Sequence, residues 1–374
     1  MQDPDRFENI PKPSLRHLNT RQAIDYSEER SDLNRWLNNV GKNPEKYEGY
    51  SKDSVKNYAS RIDQFLRWIW EMDGYTTHPT HEQADEYIEQ LARNEITTQT
   101  GDAYSDSSKR KMANALERYF EWLADTQDGE KWDSPIEFTD RDYNPPDAFT
   151  RDERRRLRKA ALEYDSIPSY GSLLPSERER WKIYLAQRLG KPKDEVVPAD
   201  WEQLNTDWKV PSLVHTTLDA GLRPCEIERA RVSWIRPEKQ ELHIPKEQSA
   251  KNTENWSVSL LPKTVKILER WLEQRTARSK YDNTEALWLN RQGNAYTSAS
   301  LRTILNNLCE LAEIDRTNRR IVWYSFRHSL GTHMTDTGNL AQAKEQLRHK
   351  SLKSTLQYKQ PSHKERRDTL NKIG

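Results

Sequence analysis

A chain of 374 residues is long enough for two or three domains, and its 13 Trp and 16 Tyr argue against wholesale disorder despite 32% charged residues. No apolar run approaches a membrane span, the opening MQDPDRFENIPKP lacks a signal-peptide core, and Cys225 and Cys309 make neither a disulfide framework nor a zinc set, so a cytoplasmic protein with no membrane association is expected. The net charge of +1 hides an asymmetry: residues 46–125 hold 10 Lys and Arg against 15 Asp and Glu, whereas residues 315–374 hold 13 against 5, a basic footprint suited to phosphates.

Residues 20–40 read as a helix offering Ile24, Leu33, Trp36 and Leu37 for packing, within an N-terminal extension over residues 1–45. From Ser51 onward, Val55, Tyr58, Ile62, Phe65 and Ile69 recur at three- and four-residue steps, one face of an amphipathic helix. Thr80 suits the N-cap of a second helix striped by Ala84, Tyr87, Ile88 and Leu91. After the polar loop TTQTGDAYSDSS, Met112, Leu116, Tyr119 and Leu123 mark a third. These patterns predict an all-α domain over residues 46–125. Arg61, Lys109, Arg110 and Lys111 are its candidate phosphate contacts, weighed against the commoner role of solvated helix residues. Residues 126–149 carry three prolines and several acids without periodicity, and read as a linker.

Thr150 and Glu153 form a capping box that opens a helix through ERRRLRKAALEY. Its arginine run reads as solvated surface, with a face toward DNA as the alternative. Residues 165–208 are polar, with a helix over residues 176–189 stopped by Gly190, and are read as an insertion. In LVHTTLDAGLRPCEIERARVSWI, a helix through Leu213, Val214 and Leu218 ends at Gly221, and Pro224 suits the first turn of the next. Arg223 therefore sits in a tight corner, with Glu226 one turn away; a purely structural Arg223–Glu226 pair is the alternative. ELHIPKEQSAKNTENWSVSLL predicts a β-hairpin, with Leu242 and Ile244 alternating, a turn over residues 252–255, then Trp256, Val258 and Leu260. Helices follow over Pro262–Arg275 and residues 298–312, the latter packing through Ile304, Leu305, Leu308 and Leu311.

The most informative stretch is YSFRHSLGTHMTDTGNLAQAKEQLRHKSLKSTLQY. Arg327 opens a helical pattern with Leu330, Gly331 and Met334 on one side, and His349 follows 22 residues later. Ser351 then caps a short helix that leads to Tyr358. A phosphodiester gathers a second negative charge in its five-coordinate transition state. Guanidinium forks remain charged and meet two oxygens at once. A phenol of pKa about 10 needs neighbouring cations and a hydrogen-bonding partner before it attacks phosphorus.

This order and spacing of Arg223, Glu226, Arg327, His349 and Tyr358 resembles the tyrosine recombinases, the phage integrase family. The resemblance covers roughly residues 50–360 and implies a mainly α fold: an all-α, SAM-like core-binding domain, a linker, and a mostly α catalytic domain (residues 150–360) with a small antiparallel sheet. FLRWI and YFEWL, at residues 65–69 and 119–123, resemble the family's core-binding helices. The family's hairpin lysine falls on Lys251, counted back nine residues from Leu260, with Lys246 as the rival. Where the family usually has His-x-x-Arg, this chain has Tyr324-Ser-Phe-Arg327, so the imidazole is replaced by a phenol. His328, next to Arg327, reads as a structural group or one supporting the site residues from behind, and His333 as a packing residue. The resemblance further implies double-stranded DNA with specific recombination sites as partner, a homo-tetramer exchanging strands through a Holliday junction, a 3′-phosphotyrosyl intermediate, and neither nucleotide cofactor nor metal. The basic tail over residues 361–374 would dock on a neighbouring subunit. A helix-turn-helix regulator and a type IB topoisomerase are the rival readings.

Overall fold

The computed structural model describes residues 9–139, 145–250, 254–337, 339–358 and 370–371, and divides into two compact units, residues 1–144 and 145–374.

In the first unit, the short α1 (Lys12–Leu15) leads into α2 (Thr20–Asn39), α3 (Lys52–Met72), α4 (His81–Ala92) and α5 (Asp106–Thr126). Asn19, Ser51, Thr80 and Ser105 each accept a backbone N–H at a helix start, which satisfies donors that would otherwise lack partners. The Ala84, Tyr87, Ile88 and Leu91 stripe is wholly buried, as are Val55, Ile62, Phe65 and Ile69 of α3. Asp63 ties the amino-terminal elements together: its Oδ1 accepts from Ser14 Oγ at 2.6 Å and from Tyr26 Oη at 2.8 Å, while Oδ2 accepts from Arg67 Nε at 3.1 Å.

Three expectations change here. The extension over residues 1–45 is no separate segment, because Ile10, Leu18, Ala23, Tyr26, Leu33, Trp36 and Leu37 pack into the same core as α3–α5, while Ile24 faces outward. Nor is the stretch over residues 126–149 a bare linker. Trp132 and Phe138 are buried in the first unit, with Trp132 Nε1 donating to Asp85 Oδ1 at 2.9 Å, and Phe149 is buried in the second unit's core. Lys109 is not available to a phosphate: it is 5% exposed, and its ammonium donates to Asn94 Oδ1 at 2.7 Å. Arg61 and Arg110 are half-buried, and Lys111 is exposed.

The second unit is built around α9 (Lys209–Ala220), in which every residue is buried. Around it pack α6 (Arg151–Leu162), α11 (Pro262–Arg275) and α13 (Tyr324–Asp336). Between α6 and α9, α7 (Pro175–Leu189) and α8 (Pro198–Gln203) form the segment read as an insertion. It has a small core of its own, with Trp181, Leu185 and Trp201 at its centre. The left-handed Gly190 closes α7 as expected.

After α10 (Pro224–Arg229) come β1 (Ile235–Arg236), β2 (Glu241–Ile244) and β3 (Trp256–Ser259), an antiparallel sheet in that order. Leu242 lies opposite Val258 and Ile244 opposite Trp256, so the alternating apolar residues share the buried face. The two-residue β1 is too short to show an alternation, and the hairpin reading does not include it. Residues 252 and 253 of the expected turn over residues 252–255 lie outside the described residues. In α12 (Ser298–Leu311), Leu301 and Cys309 join Ile304, Leu305 and Leu308 in the core, whereas Leu311 is exposed. Then α13, α14 (Leu340–Leu347) and α15 (Leu352–Leu356) lead to Tyr358.

Candidate active site

Two chain corners and one helix start meet to form the site. Gly221, at φ +57, ends α9 in a left-handed turn, and Arg223 begins α10 two residues later. Arg348 ends α14, also left-handed at φ +58, and His349 follows it. Tyr324 and Arg327 occupy the first turn of α13.

Glu226 lies at the centre, 1% exposed. Its Oε2 accepts from the Arg223 backbone N–H and from Arg348 Nη2, each at 2.8 Å, and its Oε1 accepts from Arg223 Nη1 at 3.1 Å. Burial alone would raise this carboxyl. The guanidinium groups of Arg348, Arg223 and Arg327 outweigh it and hold Glu226 at about 2. The Arg223–Glu226 pair is therefore real, and it leaves the arginine poised at the opening rather than withdrawn. The Arg223 side chain keeps 19% of its exposure, against 1% for that of Arg348.

Arg327 is fully buried and braces the two corners, Nη1 donating to Gly221 O at 2.9 Å and Nη2 to Leu347 O. Two of its five N–H groups are used this way, and Nε is buried without a partner. Burial, with Arg348 and Arg223 nearby, pulls its pKa down to about 10. Arg348 donates to Ala220 O at 2.6 Å and to Gly221 O at 3.1 Å, so both arginines grip the same turn. Three guanidinium groups around one carboxylate leave the cluster with net positive charge.

A hollow of about 140 Å³ opens above this cluster, with Arg223, Tyr324, Arg348, His349 and Lys350 in its wall. Its size and charge fit a phosphate group. Tyr358 lies outside that wall, 1% exposed, its ring parallel to His349 at 5.6 Å between centroids and 5.1 Å from His328. Gly331 makes room for it, since a Cβ there would stand 2.7 Å from Tyr358 Cγ and Cδ1. His349 Nδ1 and Thr355 Oγ1 are 2.9 Å apart. The Tyr324 and Tyr358 hydroxyls are 3.2 Å apart, which joins the buried phenol to the hollow. Burial and Tyr324 push Tyr358 above the ordinary phenol range, whereas Arg327, Tyr358 and Arg223 together outweigh burial and pull Tyr324 below it.

Arg223, Glu226, Tyr324, Arg327, His349 and Tyr358 thus come together from residues far apart in sequence. Lys251 lies outside the described residues. Ser249 and Ala250, immediately before it, line the hollow, while Lys246 is exposed elsewhere. Sequence reasoning missed Arg348 and Lys350, which flank His349. The signal for Arg348 is a helix end without glycine, where an arginine takes the left-handed position and its side chain turns back to Glu226. His333 Nε2 lies 2.9 Å from Phe149 O, and the His328 ring stands 5.1 Å from that of Tyr358.

Residues 203–365 match the family model described as the phage integrase family. The chain is 34% identical over 95 residues to tyrosine recombinase XerC of Anoxybacillus flavithermus, a match covering 24% of this chain and 31% of that protein. It is 24% identical over 196 residues to XerC of Corynebacterium glutamicum, covering 52% and 59% respectively. The chain thus spans about a third and somewhat over half of the lengths of these two relatives. Its fold resembles that of the XerH site-specific recombinase bound to palindromic difH substrate in a post-cleavage complex, with a TM-score of 0.56 at 14% identity, over 94% of this chain and 88% of that one. Residues 203–365, the segment that builds the cluster, are thus similar to the phage integrase family, and the fold resembles that of the XerH site-specific recombinase.

Proposed function

We propose that the chain is a site-specific DNA recombinase that cuts and rejoins double-stranded DNA through a 3′-phosphotyrosyl intermediate. The observation that carries this is the phosphate-sized hollow walled by Arg223, Tyr324, Arg348 and His349, with the Tyr358 hydroxyl bonded to Tyr324 at its edge. The scissile phosphate enters the hollow, where Arg223 and His349 bind its non-bridging oxygens and the buried Arg327 cation supports them with its charge. Tyr358 Oη attacks phosphorus while its proton passes through the Tyr324 hydroxyl to water, the bond from phosphorus to the 5′ oxygen breaks, and Lys251 supplies a proton to that oxygen. A 5′ hydroxyl from a partner strand reverses the step. Because the phosphotyrosyl bond conserves the energy of the cut, the reaction needs neither nucleotide nor metal.

Similarity to the phage integrase family supports the remaining parts: a homo-tetramer on DNA, strand exchange through a Holliday junction, and a cytoplasmic enzyme. The helical first unit supplies further backbone contacts through Arg61, Arg110 and Lys111. With a nicked substrate that traps cleavage, the wild-type chain accumulates an SDS-resistant protein–DNA adduct. Tyr358→Phe abolishes the adduct and retains binding, and Arg223→Ala lowers cleavage by on the order of a hundredfold or more. An adduct surviving in Tyr358→Phe places the nucleophile elsewhere. Tight specific binding with no adduct in the wild type favours a regulator.

A further inference from the structure

Of the three arginines around Glu226, one is placed to touch what enters the hollow. Arg327 is fully buried and stands behind the wall. Arg348 belongs to the wall, but its terminal nitrogens are taken up. Nη1 donates to Ala220 O at 2.6 Å and Gln346 O at 3.2 Å, and Nη2 to Gly221 O at 3.1 Å and Glu226 Oε2 at 2.8 Å. Those acceptors match its four terminal N–H groups one for one. Arg223 keeps 19% of its side-chain exposure, yet it too is paired with Glu226, at 3.1 Å. A phosphodiester that gathers a second negative charge in its transition state is therefore met by one guanidinium group that already has an anion beside it. Tyr324, in the same wall, is a phenol where the resembled pattern has an imidazole, so it adds a hydrogen bond but no positive charge.

Lys350 makes up the difference. It lines the hollow, it is exposed, and among the described residues no carboxylate pairs with it. The acid in the wall, Glu226, is 1% exposed and held by Arg223 and Arg348. The backbone of Lys350 is fixed from both sides. Arg348 closes α14 in its left-handed turn, and Ser351 caps α15, its Oγ accepting from Ser354 N–H at 3.4 Å. A compact ammonium on a four-carbon stem thus swings over the hollow from an anchored corner. Lys350 also follows His349 directly, and the His349 ring lies parallel to that of Tyr358 at 5.6 Å. In an in-line displacement the leaving 5′ oxygen stands across phosphorus from the attacking phenol. A cation on the Tyr358 side therefore serves the non-bridging oxygens and not the leaving group.

We propose that Lys350 is a further catalytic residue, whose ammonium binds a non-bridging oxygen of the scissile phosphate and supplies the positive charge that the transition state lacks. This rests on the reading of the hollow as the seat of the scissile phosphate. Lys350 keeps its proton throughout the step, and the leaving oxygen takes its proton from another group. Charge rather than shape is what the position supplies, so a guanidinium group there serves as well as an ammonium.

Single-turnover cleavage of a nicked DNA substrate by the full chain, with gel-shift titrations on the same DNA, tests it. Lys350→Met keeps the length of the side chain and removes the charge. Adduct formation should slow by about ten- to a hundredfold, the cost of one lost charge-assisted hydrogen bond. DNA affinity should fall by no more than about threefold, since one phosphate contact among many is lost. Lys350→Arg should recover most of the lost rate. A neutral methylphosphonate at the cleaved position carries one negative charge fewer, so the deficit of Lys350→Met should shrink to about threefold or less on it. A substrate with sulfur as the 5′ bridging atom, which leaves without a proton, should not rescue Lys350→Met. The proposal is overturned if Lys350→Met cleaves as the wild type does, or loses only DNA affinity. It is overturned equally by a deficit that is as large on the methylphosphonate, or by rescue with the bridging sulfur, which makes Lys350 the proton donor. A wild type that forms no adduct overturns the reading of the hollow itself; with an adduct present, each of the other outcomes overturns the role of Lys350 alone.

Discussion

The hydroxyl of Tyr324 lies 3.2 Å from that of Tyr358, so the residue that replaces the histidine of the resembled His-x-x-Arg pattern is hydrogen-bonded to the proposed nucleophile itself. Sequence reasoning aimed Tyr324 at the phosphate as a neutral donor. The geometry gives it a second capacity, as the group that accepts the Tyr358 proton once it has given up its own. Arg327 and Arg223 favour the ionised form of Tyr324 against the penalty of burial. Burial and Tyr324 disfavour that of Tyr358. A shared proton in this pair therefore rests on Tyr358, and Tyr324 ionises first.

Replacing Tyr324 by Phe should remove a phenol ionisation lying below the ordinary range, read by NMR of ring-labelled tyrosine, because the group held down by the two arginines is gone. Single-turnover cleavage should fall by on the order of ten- to a hundredfold, the cost of one lost hydrogen bond of about 1–3 kcal/mol. Tyr324→His should restore cleavage and add a dependence on pH near the imidazole range. If Tyr324→Phe leaves both cleavage and the tyrosine titration unchanged, Tyr324 is a packing residue.

Glu226 links the site to stability. Its carboxyl falls from an ordinary value of 4.5 to about 2 in the folded chain. A depressed folded pKa gives stability that is present above the unfolded value and lost as pH falls through the folded one. Glu226→Gln should cost about 3–5 kcal/mol near pH 7, because it leaves Arg348 and Arg327 buried beside no anion. The gap between variant and wild type should narrow as pH drops from about 4.5 toward 2, which urea unfolding at a series of pH values measures. A gap independent of pH would mean that packing, and not charge, is what Glu226 supplies.

How much of this was legible in the sequence follows from how local each signal is. The stripe of α4 needs only its own twelve residues and a cap at Thr80, and both are as read. Gly221 and Pro224 mark the corner that aims Arg223 for the same reason. Trp132 and Phe138 looked like linker because a lone aromatic in an aperiodic stretch has no pattern, although each packs against distant helices. Lys109 looked like a phosphate contact because charge is visible in a sequence and burial is not. Arg348 escaped notice for the converse reason. Its partner Glu226 is 122 residues away, and only the fold brings them to 2.8 Å.

Gly331 offers a test of the site that does not touch a charged group. In an ordinary helix, Gly→Ala stabilises by up to about 1 kcal/mol. Here the added methyl would meet Tyr358 Cγ and Cδ1 at 2.7 Å and Leu347 Cδ1 at 3.1 Å. Gly331→Ala should therefore displace the tyrosine ring, abolish most adduct formation and leave DNA binding nearly intact. Normal adduct yield in this variant would show that Tyr358 acts from a position other than the one against Gly331.

The last prediction concerns where the chain can be divided. The boundary falls after residue 144, and Phe149 belongs to the core of the second unit, where it packs at 5.1 Å from Phe326 on the helix carrying Arg327. Asp147 fixes the approach to it, its N–H donating to Arg320 O at 3.0 Å and its Oδ2 accepting from Arg320 N–H at 2.7 Å. A fragment of residues 145–374 should therefore fold and melt cooperatively. Starting at residue 151 instead removes Phe149 together with the Thr150 cap of α6. Loss of a buried aromatic costs about 3–5 kcal/mol and loss of a cap about 1, enough to unfold a domain of ordinary stability. The longer fragment should bind DNA more weakly than the full chain, because two units held on one duplex raise each other's effective concentration. Circular dichroism melts of both fragments, with gel-shift titrations of the longer one, check this. Equal melting temperatures for the two fragments would remove residues 145–150 from the second unit. Equal DNA affinity for the longer fragment and the full chain would remove the first unit from DNA binding.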